Sequence, residues 1–545
     1  MKFGLNNLTV FFGILIVAFI IYFPCLQAGF LLYDDPEYVT ENIFLKDFSF
    51  SGIINLFTQK VYDLYIPLTW LSYWIEQNIF KFSTKGMHIT NVLLHAINAF
   101  LIFKLFTKLF NKTIPAILIA TLFLIHPQHI ESVAWIAECK DVLYTLFYLL
   151  ALLFHVDFKS SGNKKFYFGC FLFFILSCLS KPMAVSFPII IILIDYFIYN
   201  EKALKQHFNK IPFIIISVLF SAIAIKFMSA NSLENEMVGY STLNKLIFPF
   251  YELGFYIFKL ILPINLSAIY QMPDINLGIK VYLYAVFFIS LFGFALLKRN
   301  NYIKLALLCY ITILLPVLQF IPNANALVAD RYAYVSSIIP FAVICFWADK
   351  NSFSPKRVLL ISTPIILLLS FVSYNRCKVW KNDVNLFTDV LSKNKKSYTA
   401  YANLGMYYLK TGDMSNATVN LKLAIDLKPN NAIILTNYAW ALAINGQTNA
   451  SLPVLLHSLD IDPLYFKTWN NLGVVLGIKN RYPLSLKCLL FAQKLNPYNA
   501  ELYYNMAITY ANLNKNNLSI NCYQKAAKMG LPQAQQFLSA NNLHW

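Results

Sequence analysis

Residues 8–37 read LTVFFGILIVAFIIYFPCLQAGFLLYDDPE, so an apolar run over 8–32 ends directly before Tyr33-Asp34-Asp35. A run of this length and hydrophobicity is typical of a membrane-spanning helix. Burying an unpaired carboxylate in hydrocarbon costs at least a few kcal/mol, so Asp34 and Asp35 must face water, a partner or a substrate. A solvated turn favoured by Pro36 is the alternative interpretation.

Composition indicates the environment of the whole chain. The 545 residues are 58% hydrophobic and 13% charged, which predicts an all-α polytopic membrane protein with room for a soluble domain. The formal charge of +18 could suit nucleic acid. The basic residues are spread between the apolar runs instead of forming one face, so we expect no nucleic-acid partner.

Five short loops between apolar runs each carry three basic residues. They are Lys104, Lys108, Lys112; Lys159, Lys164, Lys165; Lys202, Lys205, Lys210; Lys298, Arg299, Lys304; and Lys350, Lys356, Arg357. The positive-inside rule makes these loops cytoplasmic. It places the intervening segments outside: residues 34–85, 126–141, the turn at Lys181, 229–280 and 321–331.

Counting apolar runs between these loops predicts about eleven spans, with everything after residue 374 external. The stretch 243–269 is left over, and we interpret it as a re-entrant or interfacial hairpin interrupted by Pro249 and Pro263. The run 8–32 is long enough to remain as an anchor, so we expect no cleavable signal peptide. The nine cysteines have no paired spacing that predicts a disulfide framework or a zinc site.

The chain is predicted to divide into a membrane domain, residues 1–376, a linker or first helix, 377–397, and a repeat domain, 398–545. In the last of these, Pro429, Pro463 and Pro497 recur every 34 residues, the period of tetratricopeptide repeats. About four helix pairs, an α-solenoid, follow from starts near residues 398, 432, 466 and 500.

Two sets of equivalent positions support the repeat assignment. Small residues recur where paired helices must approach: Gly405, Ala439, Gly473 and Ala507. Apolar partners recur at a second position: Leu421, Leu455, Leu489 and Tyr523. Stacked helix pairs predict a peptide or protein partner, with capping or dimerisation of the membrane domain as the alternative. Cys488 and Cys522 occupy equivalent positions, which packing explains.

Polar residues inside or beside the spans are candidate site residues. His88, Asn91, His95 and Asn98 share one helical face, which indicates either a water-filled cavity or hydrogen bonding between helices. A second acidic group, Glu131, Glu138 and Asp141, follows the third span with His126 and His129. The spacing of the histidines with Glu131 matches no specific metal motif, so no metal or other cofactor is expected.

Three cations are predicted at the outer surface with these acids: Lys140, Lys181 and Arg331. Arg331 or Lys181 could hold a phosphate, Arg331 through two parallel hydrogen bonds. An ion pair with neighbouring carboxylates is the alternative for Arg331, and an interface anchor is the alternative for Lys181. External carboxylates, external cations and a peptide-binding tail together predict a reaction on a protein with a phosphate-bearing donor.

These residues resemble a known family, the membrane proteins with tetratricopeptide tails that act as protein O-mannosyltransferases of the GT-C type. The likeness covers nearly the whole chain and rests on motifs that occur in order: Tyr33-Asp34-Asp35, Pro67-Leu68-Thr69, His88 to Asn98, His126-Pro127 to Ala134, Lys140-Asp141-Val142-Leu143 and Asp330-Arg331-Tyr332. Two departures are Ile66 and Cys139-Lys140, where relatives often carry arginine.

The resemblance implies an inverting transfer of a hexose from a polyprenyl-phosphate donor to Ser or Thr of an exported protein. It makes Asp34 the general base and Asp35 the residue that orients the base or the sugar. It implies that Glu131, Glu138, Asp141 and the four histidines, His88, His95, His126 and His129, bind substrate. Arg331, Lys181 and Lys140 would stabilise the phosphate that leaves.

Two other functions stay open from the sequence. One is sugar transfer from the same donor to a lipid or envelope polysaccharide, and the other is a non-catalytic scaffold. The expected location is a bacterial inner membrane with the first loop and the repeats in the periplasm. The endoplasmic reticulum membrane, with lumenal repeats, is the alternative.

Overall fold

The chain folds into helices in two compact units, Met1–Asp389 and Val390–Trp545, in a computed structural model. The structure describes residues 6–59, 64–81, 83–227, 237, 239–298, 300–319, 326–351 and 354–545. Arg299 lies outside the described residues, and so do residues 229–236, 238 and 321–325 of the predicted external segments 229–280 and 321–331. Within the described ranges every extended regular element is helical, so the all-α prediction is confirmed.

The α-helices of the first unit are numbered α1 to α16, and the division between the units falls inside the last of them, within the stretch predicted as a linker. Their bounds are Asn7–Ile21, Phe50–Thr58, Pro67–Phe80, Thr84–Phe110, Thr113–Ile125, Ile130–Ala134, Cys139–Ser161, Lys164–Ser180, Phe187–Phe197, Ile211–Phe227, Thr242–Ile261, Ile279–Leu297, Asn301–Leu314, Ile338–Lys350, Pro355–Val379 and Asp383–Lys393.

The first unit is that of a multi-pass membrane protein. By length and composition, five described segments are helical and apolar enough to cross a bilayer: Thr84–Phe110, Ile136–Ser161, Leu204–Phe227, Ile279–Leu297 and Arg357–Val379. The bent pair Thr113–Ile125 and Pro127–Ala134 would make a sixth, and shorter apolar helices accompany them. The predicted number of about eleven spans is not confirmed by this criterion.

Prolines explain why the ends of the helices differ from the ends of the apolar runs. The first run does not form one long helix, because α1 ends at Ile21 and a 3-10 segment, Phe23–Gln27, follows with Pro24 in it. The hairpin predicted over 243–269 is wrong. That stretch contains one helix, Thr242–Ile261, which carries Pro249 inside it and ends just before Pro263.

The second unit consists of four helix pairs, α17 to α24, and a last helix, α25. Their bounds are Tyr398–Thr411, Met414–Leu427, Ala432–Ile444, Thr448–Ile461, Phe466–Ile478, Tyr482–Leu495, Ala500–Asn512, Asn516–Lys528 and Pro532–Ala540. The four first helices begin at the four residues that the proline period predicted. The tetratricopeptide prediction is therefore confirmed.

Close helix contact within a pair depends on the small residues. A Cβ atom added at Gly473 would lie 2.7 Å from Cγ of Leu489 and 3.2 Å from the Ser485 carbonyl oxygen. Gly405 faces Leu421 in the same way. Both leucines are fully buried, so each helix pair interlocks where the sequence predicted it.

Two alanine substitutions in α21 should have opposite effects. Gly473→Ala places a methyl group against Leu489 and backbone, and overpacking of this kind costs about 1–3 kcal/mol. Gly477→Ala, one turn later, meets only the Ser485 hydroxyl at 3.5 Å, an ordinary contact. It should be neutral or stabilising by up to about 1 kcal/mol, because alanine is the better helix former. Thermal melts of the two variants test this, and equal melting temperatures would contradict it.

Candidate active site

Asp35 fixes the loop that follows α1 to the short turn that precedes α7. One of its carboxylate oxygens accepts a hydrogen bond from the Leu31 N–H (2.8 Å), and the other accepts from the Ala137 N–H (2.9 Å). Asp35 is 1% exposed. Burial raises the pKa of Asp35 to about 7, although the two backbone N–H groups lower it. This residue holds Asp34, its neighbour, at a fixed place over the segment Ile136–Glu138.

The other predicted acids gather beside that segment. Glu131 lies in α6, Glu138 ends a 3-10 turn, and Asp141 lies in the first turn of α7. All three are buried. Ser132 donates a hydrogen bond to Asp141 (2.9 Å), which ties α6 to α7. Residues that the sequence placed on one membrane face thus meet in space.

The three predicted cations pair with these acids. Arg331 contacts Glu131, and its Nε lies 3.3 Å from Glu138. Lys181 contacts Asp141, with its Nζ 3.5 Å from Glu138. The Lys140 Nζ lies 3.0 Å from Glu138. Glu138 is therefore shared by all three cations, and the ion-pair alternative for Arg331 describes its geometry. We call Asp34, Glu131, Glu138, Lys140, Asp141, Lys181 and Arg331 the charged cluster.

Asp34 differs from the other carboxylates of the charged cluster. It is half-buried, and among the described residues its side chain makes no hydrogen bond or ion pair. Burial raises the pKa of Asp34 to about 6, while the charges of Lys140 and Arg331 oppose that rise. The result is an accessible carboxylate that is ionised at neutral pH and has both oxygens available for a ligand.

An aromatic stack borders the charged cluster. Tyr33 stacks on Trp135 with ring centroids 4.7 Å apart, and Trp135 lies 5.8 Å from Trp380. The Arg331 guanidinium lies 5.6 Å from the centroid of Trp135, within cation–π range. Burial raises the pKa of the Tyr33 hydroxyl well above its ordinary value, so it stays a hydrogen-bond donor.

The polar face of α4 serves helix packing. The Asn91 amide donates to the Val133 and Trp135 carbonyls (3.3 and 3.4 Å), and Asn98 donates to the Val142 carbonyl (2.8 Å). His95 lies between the Tyr334 hydroxyl (2.6 Å) and the Leu124 carbonyl (3.0 Å), and His88 lies buried beside the Ala28 backbone. These contacts match the structural alternative for the stripe.

The other two histidines predicted as site residues, His126 and His129, also lie at packing contacts. His126 Nε2 lies 3.0 Å from the Leu260 carbonyl oxygen. The two nitrogens of His129 lie 2.7 Å from the Phe123 carbonyl and 2.9 Å from the Ser337 hydroxyl. The structure thus brings the predicted acids and cations together and places the four histidines at helix contacts; their role as substrate ligands stays a prediction.

His126, His129 and Glu131 do not form a metal-type group within the described ranges. Among the described residues, the group whose potential ligand atoms lie within 4.8 Å of one another consists of Asp195, Glu201 and His207. Lys210 and Lys159 contact the carboxylates of Asp195 and Glu201. The charges of this second group are thus already balanced, and we interpret it as an ion network that joins α7, α9 and α10.

Sequence reasoning missed several residues that shape the site. Tyr33, Trp135 and Trp380 form the aromatic stack, and Asp383 accepts a hydrogen bond from the Leu32 N–H at 2.7 Å. Tyr33 lies inside a quoted motif and Trp135 directly follows another, so their position beside charged residues was a usable signal. Trp380 and Asp383 come from the far end of the unit, and nothing local in the sequence connects them to the first loop.

Both parts of the chain contain segments that match known protein families. A family model described as dolichyl-phosphate-mannose-protein mannosyltransferase matches residues 67–227, and a tetratricopeptide repeat model matches residues 398–431 and 500–529. The predicted resemblance to the tetratricopeptide-repeat O-mannosyltransferase family is confirmed. The mannosyltransferase match includes Glu131, Glu138, Lys140, Asp141 and Lys181, and it does not extend to the first loop or to Arg331.

Curated members of the O-mannosyltransferase family are similar over much of the chain. Protein O-mannosyl-transferase F38B6.6 of Caenorhabditis elegans is 26% identical over 463 residues, covering 78% of this chain and 63% of the relative. Human Protein O-mannosyl-transferase TMTC3 is 21% identical, covering 74% of this chain and 49% of the relative. The chain thus spans about half to 63% of the length of these two relatives.

Shorter matches accompany these two. Mouse Protein O-mannosyl-transferase TMTC4 is 30% identical over 183 residues, covering 29% of this chain and 25% of the relative. Among solved structures, the crystal structure of MamA covers 28% of this chain and 89% of its own at 16% identity. Its TM-score is 0.24, and so low a score carries no structural argument.

Asp35→Asn should destabilise the membrane unit. The amide would direct an N–H group at one of the two backbone N–H donors, which leaves a buried donor unsatisfied at a cost of about 1–3 kcal/mol. Thermal denaturation of the purified protein in detergent measures the change. Asp47→Asn is the control, since the side chain of Asp47 accepts its hydrogen bonds from the exposed neighbour Ser49. Equal melting temperatures for the two variants would show that Asp35 does not hold the loop.

Proposed function

We propose that the protein is a membrane glycosyltransferase that moves a hexose from a polyprenyl-phosphate donor to Ser or Thr hydroxyls of exported proteins. Mannose is the sugar that the names of its relatives favour. The observation that carries the proposal is Asp34: a half-buried carboxylate with no partner among the described residues, close enough to the paired cations Lys140 and Arg331 for their charges to act on it. That arrangement suits a base next to a site for an anionic leaving group.

The proposed reaction is a single inverting displacement. Asp34 takes the proton of the acceptor hydroxyl while the hydroxyl oxygen attacks C1 of the sugar. The bond between C1 and the phosphate oxygen breaks, and the electron pair leaves with the polyprenyl phosphate. Asp35 acts through Asp34, since its two backbone hydrogen bonds fix the loop that carries the base. It is a positioning residue in this scheme.

Arg331, Lys181 and Lys140 receive the growing negative charge on the phosphate. Each cation is already held in place by a carboxylate, so little reorganisation is needed when the charge develops. The entering phosphate would share these cations with Glu138, which all three approach. Glu131, Glu138 and Asp141 are proposed to accept hydrogen bonds from sugar hydroxyls with their remaining oxygens. The scheme uses no metal ion.

The repeat tail is proposed to collect the acceptor chain. Tethering a weak peptide-binding module to an enzyme raises the effective acceptor concentration, plausibly to about the mM range. We place the first loop and the repeats on the external face, in the periplasm of a bacterial cell. The lipid part of the donor would lie among the membrane helices, which accounts for a transferase embedded in a bilayer.

Asp34→Asn should abolish transfer and leave the fold intact. Loss of a general base lowers turnover by about 10²- to 10⁴-fold. Intact-mass analysis of envelope proteins from cells with the wild-type chain, with Asp34→Asn and without the gene measures transfer as hexose increments. The variant should melt like the wild type, because the Asp34 side chain has no bond to lose within the described part of the chain.

Identical mass profiles for all three strains would contradict protein glycosylation. If hexose increments were then found on extracted lipids or envelope polysaccharide, the acceptor would be a glycan or a lipid. If hexose increments were absent there too while partner proteins still bound the repeats, a non-catalytic scaffold would be the remaining function.

The pH dependence of the reaction should report Asp34. Only the ionised carboxylate accepts a proton, and burial raises its pKa to about 6. We therefore expect kcat/KM to be constant above about pH 7 and to fall about tenfold per unit well below pH 6. Initial rates with a synthetic peptide and a short-chain polyprenyl donor give the profile. A profile that is flat from about pH 5 to 8 would exclude Asp34 as the base.

A further inference from the structure

Two cysteines from opposite ends of the first unit meet in its interior. Cys25 lies in the 3-10 segment that follows α1, and Cys377 lies in the last turn of α15. Both residues are fully buried, and their thiols share a side-chain hydrogen bond. The 3-10 segment and α15 pack against each other, with Cα atoms within 8 Å. The fold thus brings together two thiols that the spacing of cysteines in the sequence did not connect.

Backbone hydrogen bonds hold the segments that follow the two cysteines side by side. The Gly29 N–H donates to the Lys381 carbonyl (3.2 Å), and the Leu32 N–H donates to the Asp383 carboxylate (2.7 Å). A disulfide needs Cα atoms about 4.4–6.8 Å apart and sulfurs that point at each other. Two thiols that already contact each other, on segments that are joined again a few residues farther on, meet this need with little movement of the backbone.

The position of the pair suits an oxidising compartment. Cys25 precedes the loop that carries Asp34, and Cys377 lies where the apolar segment Arg357–Val379 ends. The proposed function places this loop on the external face, and the inference rests on the proposed function in that respect. Disulfides form and persist in the bacterial periplasm and in the lumen of the endoplasmic reticulum, and they are rare in the cytosol. Either external compartment would therefore oxidise the pair.

We propose that Cys25 and Cys377 form a disulfide bond that ties the loop carrying Asp34 to the end of α15. Each thiol gives up one proton and one electron as the S–S bond forms. The two electrons reduce the disulfide of an external thiol–disulfide oxidoreductase, which takes up the two protons and becomes a dithiol. One cysteine first forms a mixed disulfide with this oxidant, and the other then displaces it. Because both sulfurs are buried in the folded chain, the exchange takes place before the two segments close over them.

The bond would close a covalent loop that contains most of the first unit. A cross-link between distant residues lowers the conformational entropy of the unfolded chain, and in this model the stabilisation grows with the length of the closed loop. The part that gains is the segment around Asp34, which is otherwise held by noncovalent contacts such as the two hydrogen bonds of Asp35. Since burial keeps reductants away from the sulfurs, we assign the bond a structural role.

Detection of the cross-linked peptides in the wild-type chain tests the bond itself. Membranes from cells that make the protein are quenched in acid, denatured with N-ethylmaleimide and digested without reductant before mass spectrometry. Most molecules should give a peptide pair joined through Cys25 and Cys377 that separates after reduction. Alkylation of both residues in most molecules, or a bond from either residue to a different cysteine, would overturn the proposal. This measurement needs no variant that could fail to fold.

Thermal melts of variants in detergent test the tether. Cys25→Ala and Cys377→Ala should each lower the melting temperature by about 5 °C, and the double variant should melt no lower than the single ones, because each change removes the same bond. Cys178→Ala is the matched control, since Cys178 is equally buried in α8. It should lose clearly less, because it loses packing alone. A loss no larger than that of the control in both variants would exclude the tether.

Failure of this inference can be told apart from failure of the proposed reaction. Asp34→Asn should yield the same joined peptides as the wild type, since the bond does not depend on catalysis. If transfer is absent while the joined peptides are found, the reaction fails and the disulfide stands. If transfer depends on Asp34 while both thiols are alkylated, the disulfide fails and the reaction stands.

Discussion

The geometry of the site depends on the two hydrogen bonds accepted by Asp35. They join the backbone of the first loop to a backbone N–H 102 residues away, on the short turn that begins α7. Every acid and cation of the charged cluster lies on that turn, beside it, or in contact with it. Without this connection the loop that carries Asp34 would keep its hydrogen bond from the Leu32 N–H to Asp383, but it would lose its link to the turn that carries Glu138.

Charge balance explains why so many ionised groups tolerate burial. Removing a charge from water is expensive unless a partner compensates for it. The charged cluster meets this requirement with three cations on three carboxylates, and Glu138 is approached by all three cations. The fourth carboxylate, Asp34, is the most accessible one. Within the charged cluster, Asp34 is therefore the carboxylate without a cation partner among the described residues, and a substrate can reach it.

The sequence predicted those parts of the structure that a local pattern determines. The repeat tail was predictable to the residue, because a 34-residue period and a small residue facing a leucine are independent signals. The acids and cations were predicted on one face from loop charges. The number of spans could not be predicted from the sequence, because prolines such as Pro24 end helices inside apolar runs. The histidines were predicted to bind substrate because polar residues within membrane spans often mark functional sites. In the structure, most of them contact backbone carbonyls at helix ends.

Burial of the charged cluster also decides how it responds to the medium. Mobile ions screen exposed charges over about 8–10 Å at moderate salt, but they do not enter a packed interior. The Arg331 guanidinium lies over the Trp135 ring, on which Tyr33 stacks, and Lys140 lies over the Tyr38 ring. The cohesion of these ion pairs is therefore insensitive to ionic strength, while the entry of a charged ligand from outside is not. The interactions among these buried charges therefore stay constant when the salt concentration around the protein changes.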